Sequence, residues 1–129
     1  MIEWHDRFLI GNPRIDFEHR IFFDLISQYS EARLTGASTE RLVRILDELA
    51  LYARFHFKSE ENLMQDIGYP GLGEHKEHHH RLTDDLSSNL AGLQLGLYAT
   101  DRVETFLLDW FIAHVTNEDA QISRFMVSG

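Results

Sequence analysis

At 129 residues and a formal net charge of −9, the chain has the length of one domain and lacks the basic face that a nucleic-acid partner requires. Cysteine is absent, which excludes disulfides, thiolate metal ligands and iron–sulfur clusters. No stretch approaches the roughly 20 apolar residues that span a bilayer, and the opening residues lack the pattern of a signal peptide. We therefore expect a single domain over residues 1–129, located in the cytoplasm and binding neither nucleic acid nor membrane.

The apolar pattern predicts an N-terminal arm, residues 1–12, followed by amphipathic helices. Pro13 follows the arm and suits the first turn of a helix, where its missing N–H costs nothing. Beyond it, apolar residues recur at steps of three and four, which is typical of α-helix. The predicted helices cover about residues 13–35, 39–67, 72–91 and 101–126.

Residues that start or stop helices separate these four segments. Ser38 or Thr39 is the expected N-cap of the second helix, and Thr100 with Asp101 is the expected cap of the fourth. Gly92 and Gly96 are expected to mark the end of the third helix. Four helices with short loops favour an all-α fold, an antiparallel up-down-up-down four-helix bundle. A bundle of this size buries its own apolar stripes, so we expect a monomer.

Imidazole and carboxylate side chains occur among the core-facing residues of all four predicted helices. These groups bind divalent iron, zinc or manganese in proteins, and burying them without partners is costly. A closed structural zinc site takes four ligands, so a larger set indicates two ions in one pocket. The candidate ligands are His19, His56, Glu60, His75, His79, His114 and Asp119.

The spacing of the candidates fits ligands that share a helix face. His56 and Glu60 are four residues apart, as are the two candidates of the third helix, so each pair projects from one face. His114 and Asp119 are five residues apart, which on an ideal helix rotates the second side chain by about 140° beyond a full turn. The last pair therefore needs a local widening of the helix or a carboxylate that reaches around it.

Other histidines are not selected as ligands. His78 and His80 point about 100° to either side of His79, and His5 lies in the arm. A single histidine on a helix is more often a surface or hydrogen-bonded core residue than a ligand. The prediction rests on the agreement of all the spacings together.

In these residues the sequence resembles the hemerythrin family, in particular its single-domain bacterial members, the bacteriohemerythrins. The resemblance covers nearly the whole chain. It includes Trp4, Gly11, the segment Ile15-Asp16-Phe17-Glu18-His19, the segment His56-Phe57-Lys58-Ser59-Glu60-Glu61, Met64, Gly68-Tyr69-Pro70, His75 to His79, and Asp109-Trp110 before His114 and Asp119. Relatives often carry Gln where this chain has Glu18, and residues 115–118 are more polar than in some relatives.

The resemblance implies a non-haem di-iron centre that binds O2. By this resemblance, His75, His79 and His114 would fill one iron. His19 and His56 would hold the other iron, which keeps an open position for O2. Glu60 and Asp119 would bridge both irons, together with an oxo or hydroxo group.

The expected function is reversible O2 binding for storage, delivery or sensing, without enzymatic turnover. Ferritin-like oxidases use four carboxylates, whereas five imidazoles and two carboxylates deliver less negative charge and so favour high-valent iron less. A dry wall at the open position is expected from Phe57, Ile112, Phe55 and Trp110. The alternatives are a di-iron enzyme acting on peroxide or nitric oxide, an O2 or redox sensor acting on a protein partner in trans, and a structural bundle loaded with zinc or manganese.

Overall fold

The computed structural model describes residues 3–128, so residues 1–2 of the predicted arm and residue 129 lie outside the described residues. Within the described residues the fold is a four-helix bundle without strands, and the predicted all-α fold is confirmed. Consecutive helices pack side by side, and the fourth packs back on the first, which closes the bundle. The helices are α1 (Pro13–Leu34), α2 (Thr39–Asp66), α3 (Leu72–Gln94), α4 (Thr100–Ala113) and α5 (Ala120–Ser128).

Two short elements complete the described fold. A 3-10 turn, Asp6–Phe8, lies in the arm. A π-helical segment, His114–Asp119, joins α4 to α5, and these three elements together form the fourth helix of the bundle. We call this π-helical segment the π-turn. Between residues 3 and 128 no helix is long and apolar enough to cross a membrane.

The predicted start of α2 is confirmed, whereas that of α4 is wrong. Ser38 caps α2, its hydroxyl accepting a hydrogen bond from the Arg41 N–H at 3.2 Å. α4 begins at Thr100, one residue earlier than expected, and its N-cap is Ala99, which makes no side-chain capping bond. Asp101 lies inside the helix, where its carboxylate accepts a hydrogen bond from the neighbouring Arg102 N–H in the first turn.

The third helix is longer than predicted, because α3 continues through Gly92 to Gln94. Of the two glycines expected to mark its end, only Gly96 does so. A Cβ on Gly92 would lie 2.3 Å from Cδ2 and 2.6 Å from Cγ of Tyr98. The guanidinium of Arg102 lies 4.0 Å from the centre of the same tyrosine ring. Gly92 therefore allows the close approach of Tyr98 to α3, while Gly96, with φ at 72°, follows the helix end.

Two apolar clusters divide the interior of the bundle. The larger includes Phe22, Leu49 and Phe111, and the smaller consists of Ile10, Ile15, Met64 and Ile122. Along their helices, His19, Glu60 and Asp119 lie between residues of the two clusters, whereas His56 and His114 lie among residues of the larger one. The fold thus presents the polar groups to one another in an otherwise apolar interior.

We predict that Gly92→Ala destabilises the protein by about 1–3 kcal/mol, because the added methyl group overpacks against the Tyr98 ring. In a Tyr98→Ala background the same change should stabilise α3 by about 0.5–1 kcal/mol, since alanine is the better helix former. Urea unfolding followed by circular dichroism measures both effects. Stabilisation of equal size in both backgrounds would show that Tyr98 does not press on Gly92.

Candidate metal centre

The seven candidate ligands converge in the interior of the bundle. Their side chains form two groups, and within each group one ligand atom per residue lies within 4.8 Å of the others. One group holds three histidines and the other holds two, and both groups contain the same two carboxylates. All seven residues are buried, none more than 6% exposed. The first group is Glu60, His75, His79, His114 and Asp119, and the second is His19, His56, Glu60 and Asp119.

The carboxylate of Glu60 divides the histidines between its two oxygens. Its Oε1 lies 3.0 Å from Nε2 of His79 and 3.4 Å from Nε2 of His114. Its Oε2 lies 3.3 Å from Nε2 of His19 and 3.4 Å from Nε2 of His56. One oxygen therefore faces the three-histidine group and the other faces the two-histidine group.

Asp119 divides its oxygens in the same way. Oδ1 lies 3.2 Å from Nε2 of His75 and 3.2 Å from Nε2 of His114, while Oδ2 lies 3.0 Å from Nε2 of His19. The π-turn makes this possible, because its i→i+5 pattern returns the chain to one face after five residues. Of the two alternatives that the spacing of His114 and Asp119 left open, the structure has the local widening of the helix.

Several buried ligand atoms lack a hydrogen-bond partner. The group includes Nε2 of His56, His75 and His114, together with both carboxylate oxygens of Asp119. These atoms lie close to opposite charges without hydrogen-bond geometry, and an unsatisfied buried polar atom costs about 1–3 kcal/mol. Divalent ions would satisfy all of them at once, so the residues present fit a pair of metal ions.

Acceptors behind three of the histidines fix the direction of their rings. Nδ1 of His56 lies 2.8 Å from the carboxylate of Glu18, and Nδ1 of His79 lies 2.9 Å from that of Glu61. Nδ1 of His19 lies 3.0 Å from a main-chain oxygen of the arm, that of Phe8. A proton on each Nδ1 leaves the Nε2 lone pair free to bind metal.

The arm is tied to α1 by Asp16. Its carboxylate accepts the N–H of Ile10 at 2.6 Å and the N–H of Gly11 at 3.2 Å. Phe8 packs edge-on against Phe111 with ring centres 5.4 Å apart. These contacts hold the carbonyl of Phe8 in place behind His19.

Sequence reasoning singled out Glu18 only as a departure from the family and missed the contacts of Glu61 and Phe8. Glu18 precedes His19 and Glu61 follows Glu60, so each lies one helical step, about 100°, from a candidate ligand. That step directs the carboxylate toward a neighbouring helix. An acidic residue next to a candidate ligand was therefore the sequence signal that could have identified Glu18 and Glu61. A main-chain acceptor, such as that of Phe8, leaves no signal of this kind in the sequence.

The aromatic wall differs from the one expected. Phe57 stacks on His79 with ring centres 4.1 Å apart, and Trp110 lies behind it, 5.9 Å from Phe57. Ile112 is half-buried at the edge of the larger apolar cluster. The expectation for Phe55 is wrong: it is 54% exposed, because the residue before His56 turns away from the centre.

Two phenylalanines that the sequence analysis did not select lie against the two-histidine group. Phe22 packs edge-on against His56 at 5.7 Å, and Phe111 packs edge-on against His19 at 6.4 Å, measured between ring centres. Phe22 follows His19 by three residues and Phe111 precedes His114 by three. Helical spacing from the ligands would have identified both.

The metal-free site is held by charge pairing. Burial lowers the pKa of His19 and His75, but the adjacent carboxylates of Asp119 and Glu60 outweigh it and raise these values to about 10 and about 9. Burial favours a protonated Glu60, but the surrounding histidines, His56 first, hold its pKa well below the usual range. Protons on the imidazoles thus occupy the place that metal ions would take.

A four-helix bundle with a buried, two-part set of histidines and carboxylates defines a class of non-haem metal-binding proteins. Comparisons with known proteins specify the class further. The family model described as "Hemerythrin HHE cation binding domain" matches residues 11–125. A bacteriohemerythrin of Clostridium acetobutylicum is 30% identical, over 94% of this chain and 98% of its own length.

Two further relatives agree with this match. A bacteriohemerythrin of Methylococcus capsulatus is 32% identical, over 81% of this chain and 79% of its own. A solved crystal structure of a leucine-to-phenylalanine mutant protein superposes with a TM-score of 0.84 at 26% identity, over 96% of this chain and 95% of that one. The chain belongs to the hemerythrin family, and its cofactor is accordingly a di-iron centre, which the buried cluster fits.

We predict that ferrous ions bind to the metal-free protein with release of protons, and that their affinity rises between about pH 7 and pH 10. The reason is that His19 and His75, with pKa values of about 10 and about 9, must lose a proton before Nε2 can bind metal. Anaerobic calorimetric titration in two buffers with different ionisation enthalpies measures the protons released. Equal apparent enthalpies in both buffers would contradict the protonated metal-free site.

Proposed function

We propose that this protein binds O2 reversibly at its di-iron centre, in a role of storage, delivery or sensing. One observation carries the proposal: Glu60 and Asp119 each turn one oxygen toward the three-histidine group and the other toward the two-histidine group. A carboxylate placed between two groups of ligands is suited to bridging two metal ions. Membership of the hemerythrin family supports the same function.

The proposed ligand assignment follows this division. His75, His79 and His114 would hold one iron, His19 and His56 would hold the other, and Glu60 and Asp119 would bridge the two with a solvent-derived oxo or hydroxo group. The second iron would then have one protein ligand fewer, which would leave a position for O2. When bound, the iron pair supplies the electrons for O2 capture.

The protein's own contribution is to keep the site dry. His19, His56, Glu60 and Asp119 are fully buried. Phe22 and Phe111 adjoin the two histidines of the iron with the open position, so we assign the apolar wall to them and to Phe57 and Trp110. Excluding water slows the loss of bound O2 and of the ferrous state.

The charge of the ligand set favours binding over oxidation. Five imidazoles are neutral ligands, and two carboxylates contribute less negative charge than the four of ferritin-like oxidases. We therefore propose no enzymatic turnover. A cytoplasmic location, a monomeric state and a protein client for O2 delivery or signalling stay predictions.

We predict that anaerobic reconstitution with ferrous iron gives about two irons per chain, since seven ligands exceed what one ion takes. Visible absorption bands should then appear in air and fade under argon over repeated cycles. Metal analysis and absorption spectroscopy on the same sample measure both.

Three outcomes would contradict the proposal in different ways. Two irons that oxidise at once to a stable ferric form would rule out reversible binding, and steady turnover of peroxide or nitric oxide would identify an enzyme instead. Zinc or no metal after ferrous reconstitution would show that the ligand assignment is wrong.

The run of three histidines provides a matched pair of variants. We predict that His79→Ala loses at least one iron per chain, because its Nε2 faces Glu60 inside the centre. His80→Ala should keep the full iron content and the O2 spectrum, because His80 is exposed. Loss of iron from His80→Ala, or retention by His79→Ala, would overturn the choice of His79 as the ligand.

A further inference from the structure

Glu18 is a buried carboxylate that lies outside the proposed ligand set. It is 4% exposed and accepts three hydrogen bonds. Its Oε1 accepts from Nδ1 of His56 at 2.8 Å. Its Oε2 accepts from the hydroxyl of Ser59 at 2.8 Å and from Nε of Arg14 at 3.1 Å. Both oxygens are therefore engaged, and one of them holds a proposed iron ligand.

The position of Glu18 follows from the helical geometry of α1. His19 points between the two shared carboxylates, while Glu18, one step of about 100° away, points across to α2. The hydroxyl of Tyr52 donates to the main-chain oxygen of Glu18 at 3.0 Å and ties the same turn to α2. One turn of α1 thus supplies one ligand directly and orients a second, His56, from behind.

A carboxylate suits this place better than an amide. Three donors converge on the two terminal oxygens of residue 18, and an amide offers only one acceptor atom. Glutamine has the same shape but would place an N–H₂ group opposite a guanidinium and a hydroxyl, and it carries no charge. Arg14, whose side chain is 70% exposed, offsets the charge of Glu18 from the solvent side only.

We propose that Glu18 is a positioning residue that sets the reduction potential of the iron bound by His56. The inference rests on the di-iron centre of the proposed function. The hydrogen bond fixes Nε2 of His56 toward the centre, and the negative charge behind Nδ1 makes the imidazole a stronger electron donor. A stronger donor stabilises the ferric state more than the ferrous state, so Glu18 lowers the potential of the half of the centre that has the open position.

A similar contact on the other half of the centre provides the control. Glu61 lies 2.9 Å from Nδ1 of His79, but its side chain is 18% exposed against 5% for Glu18. His79 belongs to the three-histidine group, which leaves no open position in the proposed assignment. Glu61→Gln therefore removes an equal charge at a similar distance from a ligand, in a more solvated place.

The test compares the wild type, Glu18→Gln and Glu61→Gln as full chains loaded with ferrous iron. Glu18→Gln should keep both irons, bind ferrous iron about 10- to 100-fold more weakly, and autoxidise more slowly. Its reduction potential should rise by about 59 mV for every tenfold by which ferric binding weakens more than ferrous binding. Glu61→Gln should shift the potential less. Spectroelectrochemical titration under argon measures the potentials.

A second readout needs no metal. In the metal-free protein, the Nδ1–H proton of His56 should give a hydrogen-bonded, downfield NMR signal that moves upfield in Glu18→Gln and stays in place in Glu61→Gln. An unchanged signal, an unchanged potential, or an equal shift from both variants would overturn the proposal.

Failure here is distinguishable from failure of the proposed function. A wild type with two irons and no reversible O2 spectrum would contradict O2 carriage, while the potentials would still decide the role of Glu18. A wild type that loads no iron would overturn both.

Discussion

The structure depends on two buried carboxylates shared by five buried imidazoles. Glu60 and Asp119 come from α2 and from the π-turn, and through their histidine partners they touch every long helix of the bundle. Each half of the centre would be incomplete without them, since both groups of ligands include both carboxylates. Placing two anions in an apolar interior is costly unless cations face them. Protonated imidazoles or metal ions can supply that positive charge. Stability and function therefore depend on the same atoms.

The residues around the centre do not hold all five histidine rings in the same way. Three histidine rings are held from behind, two by carboxylates and one by a main-chain oxygen. The aromatic side chains of the larger cluster close the two-histidine side, and the smaller cluster closes the far end of the bundle. Because the helices that carry the ligands also carry residues of these clusters, repacking of either would tilt them. Precision at the metal thus comes from ordinary core packing as much as from polar contacts.

The helices and the convergence of the candidate ligands could be predicted from the sequence, because both follow from periodicity, whereas the division of the histidines into two groups was implied by the family resemblance alone. The widened turn between His114 and Asp119 was one of two alternatives that the spacing of five residues left open. The passage of α3 through Gly92 was not predicted, since glycine typically stops a helix, and the close approach of Tyr98 to Gly92 is a tertiary contact. Phe55 was misplaced because it adjoins the buried His56 in sequence, while its own direction is set by the helical step. Contacts such as that of Glu61 with His79 depend on how helices face each other, which periodicity alone does not determine.

The contact between the arm and His19 has a consequence for how the chain tolerates change. The acceptor is the main-chain oxygen of Phe8, so no substitution of that side chain removes the atom itself. What fixes its place is the number of residues between it and α1, a span tied down by Asp16. An insertion or deletion in residues 9–12 would displace the oxygen, whereas many replacements would leave it where it is. In this segment the length of the chain is therefore constrained in its own right, in addition to the buried Ile10 and the positive φ of Gly11.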